Sequence, residues 1–127
     1  MNKKSEENIF AAEELICRGY YNSSIHCSYY ALFQYMKYIL DSRGLCSYAE
    51  QTDKTKTPGS HNNILEELRL HIEDAKLSRN VRNSFRSLKT RRTKADYEII
   101  PMEQDESQIC LNDVRNMIAQ LNQYFNI

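Results

Sequence analysis

Arg91, Arg92 and Lys94 stand within four residues of one another, and Asp96 and Tyr97 follow in the string RRTKADYEII, residues 91 to 100. A guanidinium stays charged at physiological pH and grips a phosphate through two parallel N–H···O bonds, so the cluster suits phosphate recognition. The surrounding sequence sharpens the point. Val81, Phe85, Leu88 and Ala95 recur at helical spacing, and the position that completes their rhythm is Arg92. An arginine on an apolar arc must meet an anion, an acceptor or a wet cleft. Asp96 lies one helical turn beyond and is placed to pair with it. Two roles are therefore open for Arg92: half of a structural ion pair, or a phosphate ligand in a groove.

Arg79, Arg82, Arg86 and Lys89 share a neighbouring arc of the same helix, and no carboxylate occurs from Lys76 to Lys94. Such a stripe can be a plain solvated face, but solvated faces usually mix signs for i, i+4 support. A polyanionic partner is the economical reason for the missing acids. His61 follows Ser60 at a helix start; it either sits in the first turn beside a capping serine or brings its imidazole to Arg92 from another helix. Tyr29 falls on a core stripe, whereas Tyr30 and Tyr97 are free to line a cleft and stack on bases. His26 and His71 have no partners at metal-ligand spacing, and Cys17, Cys27, Cys46 and Cys110 form no zinc pattern, so neither a metal nor a cofactor is expected.

These residues need helices to position them. Ser5 is the expected cap of a first helix reaching about Arg18, stopped by Gly19. Asn22 is the expected cap of a second, reaching about Ser42, with Ile25, Tyr29, Leu32, Met36 and Ile39 on one stripe and Cys27, Ala31, Tyr35 and Tyr38 on another. A helix with two apolar faces is either central in its bundle or shared with a second chain. Residues 45–59 lose periodicity and read as a mobile loop. Ser60 opens a third helix with Ile64, Leu65, Leu68 and Ile72 inward; after a break near 75–77, Ser78 is the expected cap of the fourth. Ile99-Ile100-Pro101 ends it. Asp105 or Ser107 should cap the last, with Cys110, Val114, Met117, Leu121 and Tyr124 inward.

The expected architecture is an all-α, antiparallel bundle of about five helices in one domain, residues 1–127. With only three Gly and two Pro, the chain has few of the turn residues that a sandwich or barrel uses. Basic and acidic residues balance at 17 each, so no net field draws the chain to nucleic acid, and the local stripe must do so if anything does. The N-terminus lacks the apolar run of a signal peptide, and Gly19 to Met36, the longest uncharged stretch, carries polar groups a bilayer would reject. A soluble cytoplasmic protein with reduced thiols is expected.

Three strings, in order, resemble the HEPN domain superfamily: GYYNSSIHCSYYALF (Gly19 to Phe33), Ser60-His61, and Arg92-Thr93-Lys94-Ala95-Asp96-Tyr97. More narrowly they are similar to a bacterial and archaeal subgroup with G-x-Y-x-x-A-I-x-x-x-Y-Y-A-x-F early and R-x-x-A-D-Y late; Ser24 replaces the usual alanine. The resemblance implies a four-helix core plus an additional helix, frequent homodimerisation, and RNA or nucleotide chemistry. It also implies a toxin–antitoxin-like pairing with a minimal nucleotidyltransferase. Many such proteins are metal-independent endoribonucleases using R-x(4–6)-H. Here Asp96 stands where a histidine is expected, and no histidine follows His71, which counts against catalysis. The leading expectation is a binding module, with a dimeric interaction module built on a structural Arg92–Asp96 pair as the alternative. A ribonuclease using Arg92, Asp96 or His61 is a third reading.

Overall fold

The four-three spacing of apolar residues becomes six helices in the computed structural model, which describes residues 2–54 and 59–127. They are α1 (Lys3–Cys17), α2 (Tyr21–Ser42), α3 (Tyr48–Lys54), α4 (Ser60–Arg69), α5 (Ala75–Tyr97) and α6 (Gln104–Phe125), with no strand among the described residues.

Helix α2 is the axis of the bundle. Ile25, Tyr29, Leu32, Met36 and Ile39 are fully buried, and so are Ala31 and Tyr35 of the second stripe. The helix packs against every other one. Its two apolar faces are thus both used inside one subunit, so they need no second chain to cover them. Buried Ile64, Leu65 and Leu68 from α4, Val81, Phe85 and Leu88 from α5, and Cys110, Val114, Met117 and Leu121 from α6 complete the core around it.

Side-chain hydrogen bonds fix the helix directions. Ser5 Oγ donates to Ala31 O at 2.8 Å and Ser24 Oγ donates to Ala12 O at 2.9 Å. Residue order therefore runs oppositely along α1 and α2. Ser5 is not the cap of α1; that role falls to Asn2, whose Oδ1 accepts from Ser5 N at 3.1 Å. Nor does Asn22 cap α2, which begins one residue earlier without a side-chain cap. Instead Asn22 Nδ2 donates to Ala95 O at 2.8 Å, and its Oδ1 accepts from Met102 N at 2.9 Å. This one amide ties the start of α2 to the end of α5 and to the connector before α6. At the opposite end Arg43 donates to the carbonyls of Phe125 and Asn126, so α6 runs parallel to α2.

Three further expectations change. Within 45–59, Tyr48–Lys54 is helical: Ser47 Oγ accepts from Glu50 N at 3.2 Å while Glu50 Oε1 accepts from Ser47 N at 3.4 Å, a capping box. Gln51 anchors that turn, fully buried, donating to Lys37 O and Cys46 O. The expected loop at residues 55–58 lies outside the described residues. Helix α5 starts before Ser78, because Asp74 Oδ1 accepts from Lys76 N and Leu77 N. Ser78 Oγ accepts from Arg69 Nε instead. Helix α6 begins at Gln104, ahead of Asp105 and Ser107, and Tyr124 lies at its rim with its hydroxyl accepting from Glu73 N. The stop at Gly19 is as expected: its φ of 80° is left-handed, which allows Tyr20 N to reach back to Leu15 O. All four cysteines are free thiols.

Candidate phosphate groove

Arg92 faces inward from α5, with its side chain 14% exposed. Its guanidinium carbon lies 4.9 Å from the ring centroid of Tyr29 and 5.8 Å from that of Tyr30, both on α2. The aromatic faces stabilise the cation without neutralising it. Nη1 reaches Asp96 Oδ2 at 3.5 Å, a long contact, and Nε is buried with no hydrogen-bond partner among the described residues.

Asp96 does not belong to Arg92 alone. Its Oδ2 is 3.0 Å from Nδ1 of His26, whose ring lies 4.7 Å from that of Tyr30. One carboxylate thus serves an arginine and a histidine, leaving the guanidinium with donors to spare. A hollow of about 320 Å³ lies on the His26–Asp96 side, lined by Asn22, Ser23, His26, Cys27, Ala95 and Asp96 but not by Arg92 itself.

His61 enters from the first turn of α4. Its Nδ1 is 2.7 Å from Tyr29 Oη, and its ring stacks on Phe33 at 4.1 Å. Burial, then the cations Lys89, Arg92 and Lys37, hold its pKa below the usual histidine value. Burial likewise raises the Tyr29 hydroxyl, against the pull of Arg92. The two shifts agree on one state, a protonated phenol donating to a neutral imidazole. His61 therefore reaches the neighbourhood of Arg92 by way of Tyr29.

A third face of α2 makes this possible. His26, Tyr30, Phe33 and Lys37 follow steps of four, three and four, between the two apolar stripes, and Lys37 Nζ lies 5.5 Å over the Phe33 ring. The result is a wall of rings with cations above it. Cations of this kind hold a phosphodiester oxygen, and the partly exposed rings of Tyr30 and His26 offer faces to a base.

The remaining sequence candidates are dispersed. Arg91 turns toward α6, meeting Asp113 at 3.9 Å and Cys110 Sγ at 3.9 Å. Lys89 borders His61 and shares a shallow hollow with Lys94 and Glu98. Arg79 and Arg86 are exposed, and Arg82 contacts its neighbour Asn83. Among the described residues none of Arg79, Arg82, Arg86, Lys89 and Lys94 pairs with a carboxylate. Tyr97 is 76% exposed and makes none of the groove's ring contacts. His26 was missed as a site residue because its partner lies 70 positions away, and nothing local to either residue announces the pair.

Among the described residues no three His, Cys, Asp or Glu side chains converge as metal ligands would, and no helix is long and apolar enough to cross a membrane. A family model described as HEPN domain matches residues 2–124, nearly the whole chain. No curated protein and no solved structure matches.

Proposed function

Since the chain belongs to the HEPN domain family, we propose that it binds RNA or a nucleotide in the Arg92 groove, without the family's usual arginine–histidine ribonuclease pair. The observation that carries this reading is the inward guanidinium: among the described residues its Nε is unbonded and its only acid partner, Asp96, also serves His26. A phosphate would take the guanidinium donors that reach the surface, Nε itself being buried. Tyr30 and His26 would give an adjoining base a surface to rest on. Arg86, Lys89, Lys94, Arg82 and Arg79 would attract the rest of the polyanion from outside the groove. Arg91, turned toward Asp113, and the exposed Tyr97 lie outside the groove's contacts.

Fluorescence anisotropy with a labelled single-stranded RNA of 12 nucleotides tests the proposal. Affinity should fall steeply as salt rises, and Arg92→Ala should remove most of it. Binding that is undetectable, or indifferent to salt, would retire the reading.

A metal-independent ribonuclease is a second reading, and one contact favours it. His26 Nδ1 is held by Asp96, the same carboxylate that Arg92 reaches. In that reading His26 Nε2 takes the proton of a ribose 2′-hydroxyl as its oxygen bonds to phosphorus, the 5′-oxygen leaves with a proton from water, and Arg92 stabilises the charge gathering on the phosphate. Incubation with RNA in EDTA decides: cleavage abolished by His26→Ala supports it, and no cleavage above an Arg92→Ala control ends it. A homodimer, and a minimal nucleotidyltransferase as partner, complete the proposal at the level of assembly. An adjacent reading frame encoding such an enzyme would support the pairing.

A further inference from the structure

A second cavity, of about 450 Å³, opens where the start of α1 meets the middle of α2 and the beginning of α3. It is lined by Asn2, Lys3, Lys4, Gln34, Lys37 and Tyr48. Three of those six side chains are lysines and none is an acid. Among the described residues no carboxylate pairs with Lys3, Lys4 or Lys37. Three lysines around one cavity repel one another and cost stability unless an anion joins them; Asp41, whose Oδ1 accepts from Tyr48 N at 3.1 Å, is an acid at its rim. Burial, and then the nearby Lys4, push the pKa of Lys37 below its ordinary value. The remaining lining groups, the Asn2 and Gln34 amides and the Tyr48 hydroxyl, can all donate hydrogen bonds to an oxyanion.

Lys37 also connects this cavity to the groove. Its Nζ lies over Phe33, whose ring stacks on His61, and Lys37 is one of the cations acting on that imidazole. Arg92, Lys89, Lys37, Lys4 and Lys3 therefore form a track across α5, α2 and α1. Tyr30, beneath Arg92, and Lys37 are seven residues apart on α2, about 10 Å by helical rise. One phosphate group does not span that distance.

We propose that the cavity walled by Lys3, Lys4 and Lys37 binds a phosphate group, and that this group is a further phosphodiester of the same single strand held at Arg92. The strand part rests on the function proposed above; the phosphate site itself does not.

The test uses the full chain, Lys3→Gln/Lys4→Gln, Lys3→Gln/Lys4→Gln/Lys37→Gln and Arg92→Ala. Lys3 and Lys4 are exposed, so the double variant should fold and guards against misreading an unfolded triple variant. Binding of inorganic pyrophosphate is followed by calorimetry, and that of the 12-nucleotide RNA by anisotropy across a salt series. Measured in the Arg92→Ala background, which removes any share bound at the groove, pyrophosphate binding should persist and weaken at least about tenfold when either set of lysine substitutions is added, in line with the salt-sensitive strength of phosphate contacts. The slope of log K against log salt for RNA should flatten by about 0.7 for each phosphate contact removed. Pyrophosphate lost with the RNA slope unchanged would keep the site and overturn the shared strand. Both unchanged would overturn the site. If the unaltered chain binds no RNA, the Arg92 reading falls and pyrophosphate alone decides the cavity.

Discussion

Arg92 occupies a place in the heptad rhythm of α5 where a leucine would pack, and its surroundings hold the charge without cancelling it. The contact with Asp96 is a long, partly buried i, i+4 pair, and helical pairs of this spacing contribute about 0.3–0.5 kcal/mol. The two tyrosine faces add about 0.5–1 kcal/mol. Alanine has the better helix propensity, so Arg92→Ala should cost about 1 kcal/mol or less in thermal melts while removing most RNA affinity. A purely structural arginine would show the reverse, a clear loss of stability with no ligand to lose. His61 gives a second residue-level prediction. Its folded pKa lies below the unfolded value of 6.5, so the unfolded chain binds more protons as pH falls. The stability from neutral His61 should be present above about pH 6.5 and decline below it. An NMR titration should place the His61 midpoint below 6.5, and Lys89→Gln should move it upward. A midpoint unmoved by Lys89→Gln would remove Lys89 from the groove.

Helices are held here by polar side chains that look like caps. Ser5, Asn22 and Ser78 were all read as N-caps because serine and asparagine favour that position. In each case the side chain serves another helix: Ser5 the carbonyl of Ala31, Asn22 the carbonyl of Ala95, and Ser78 the guanidinium of Arg69. The Ser24 hydroxyl likewise bonds Ala12 O. Asn22→Ala should cost about 2 kcal/mol, since it leaves one partly buried carbonyl and one amide without their partner. Hydrogen exchange should then accelerate at Met102 and the end of α5 before it does in α2. Uniform acceleration would show that Asn22 is not the tie between these elements. The apolar stripes of α2, α5 and α6 were legible because periodicity is a local signal. The pairings were not, because residues 22 and 95, or 26 and 96, meet only once the bundle has formed. Helix α3 was legible in principle, through Ser47 and Glu50, but its seven residues are too few for a period to stand out.

For the whole molecule, the central position of α2 explains its double apolar face without a second chain, so any homodimer must use other surface. Tyr97, Ile99 and Ile100 at the end of α5 are 76%, 100% and 76% exposed, apolar side chains that no described residue covers. HEPN domains often dimerise, and sedimentation equilibrium should find a dimer that Ile99→Asp/Ile100→Asp converts to monomer with little change in melting temperature. A monomer before substitution would remove the dimer from the account. The central claim, a phosphate on Arg92, is tested most directly by the NMR signal of the Arg92 Nε–H group during titration with the 12-nucleotide single-stranded RNA. The account predicts a saturable shift of that signal, reversed by salt and accompanied by movement of the His26 ring protons. RNA that binds while the Arg92 and His26 signals stay in place would contradict it.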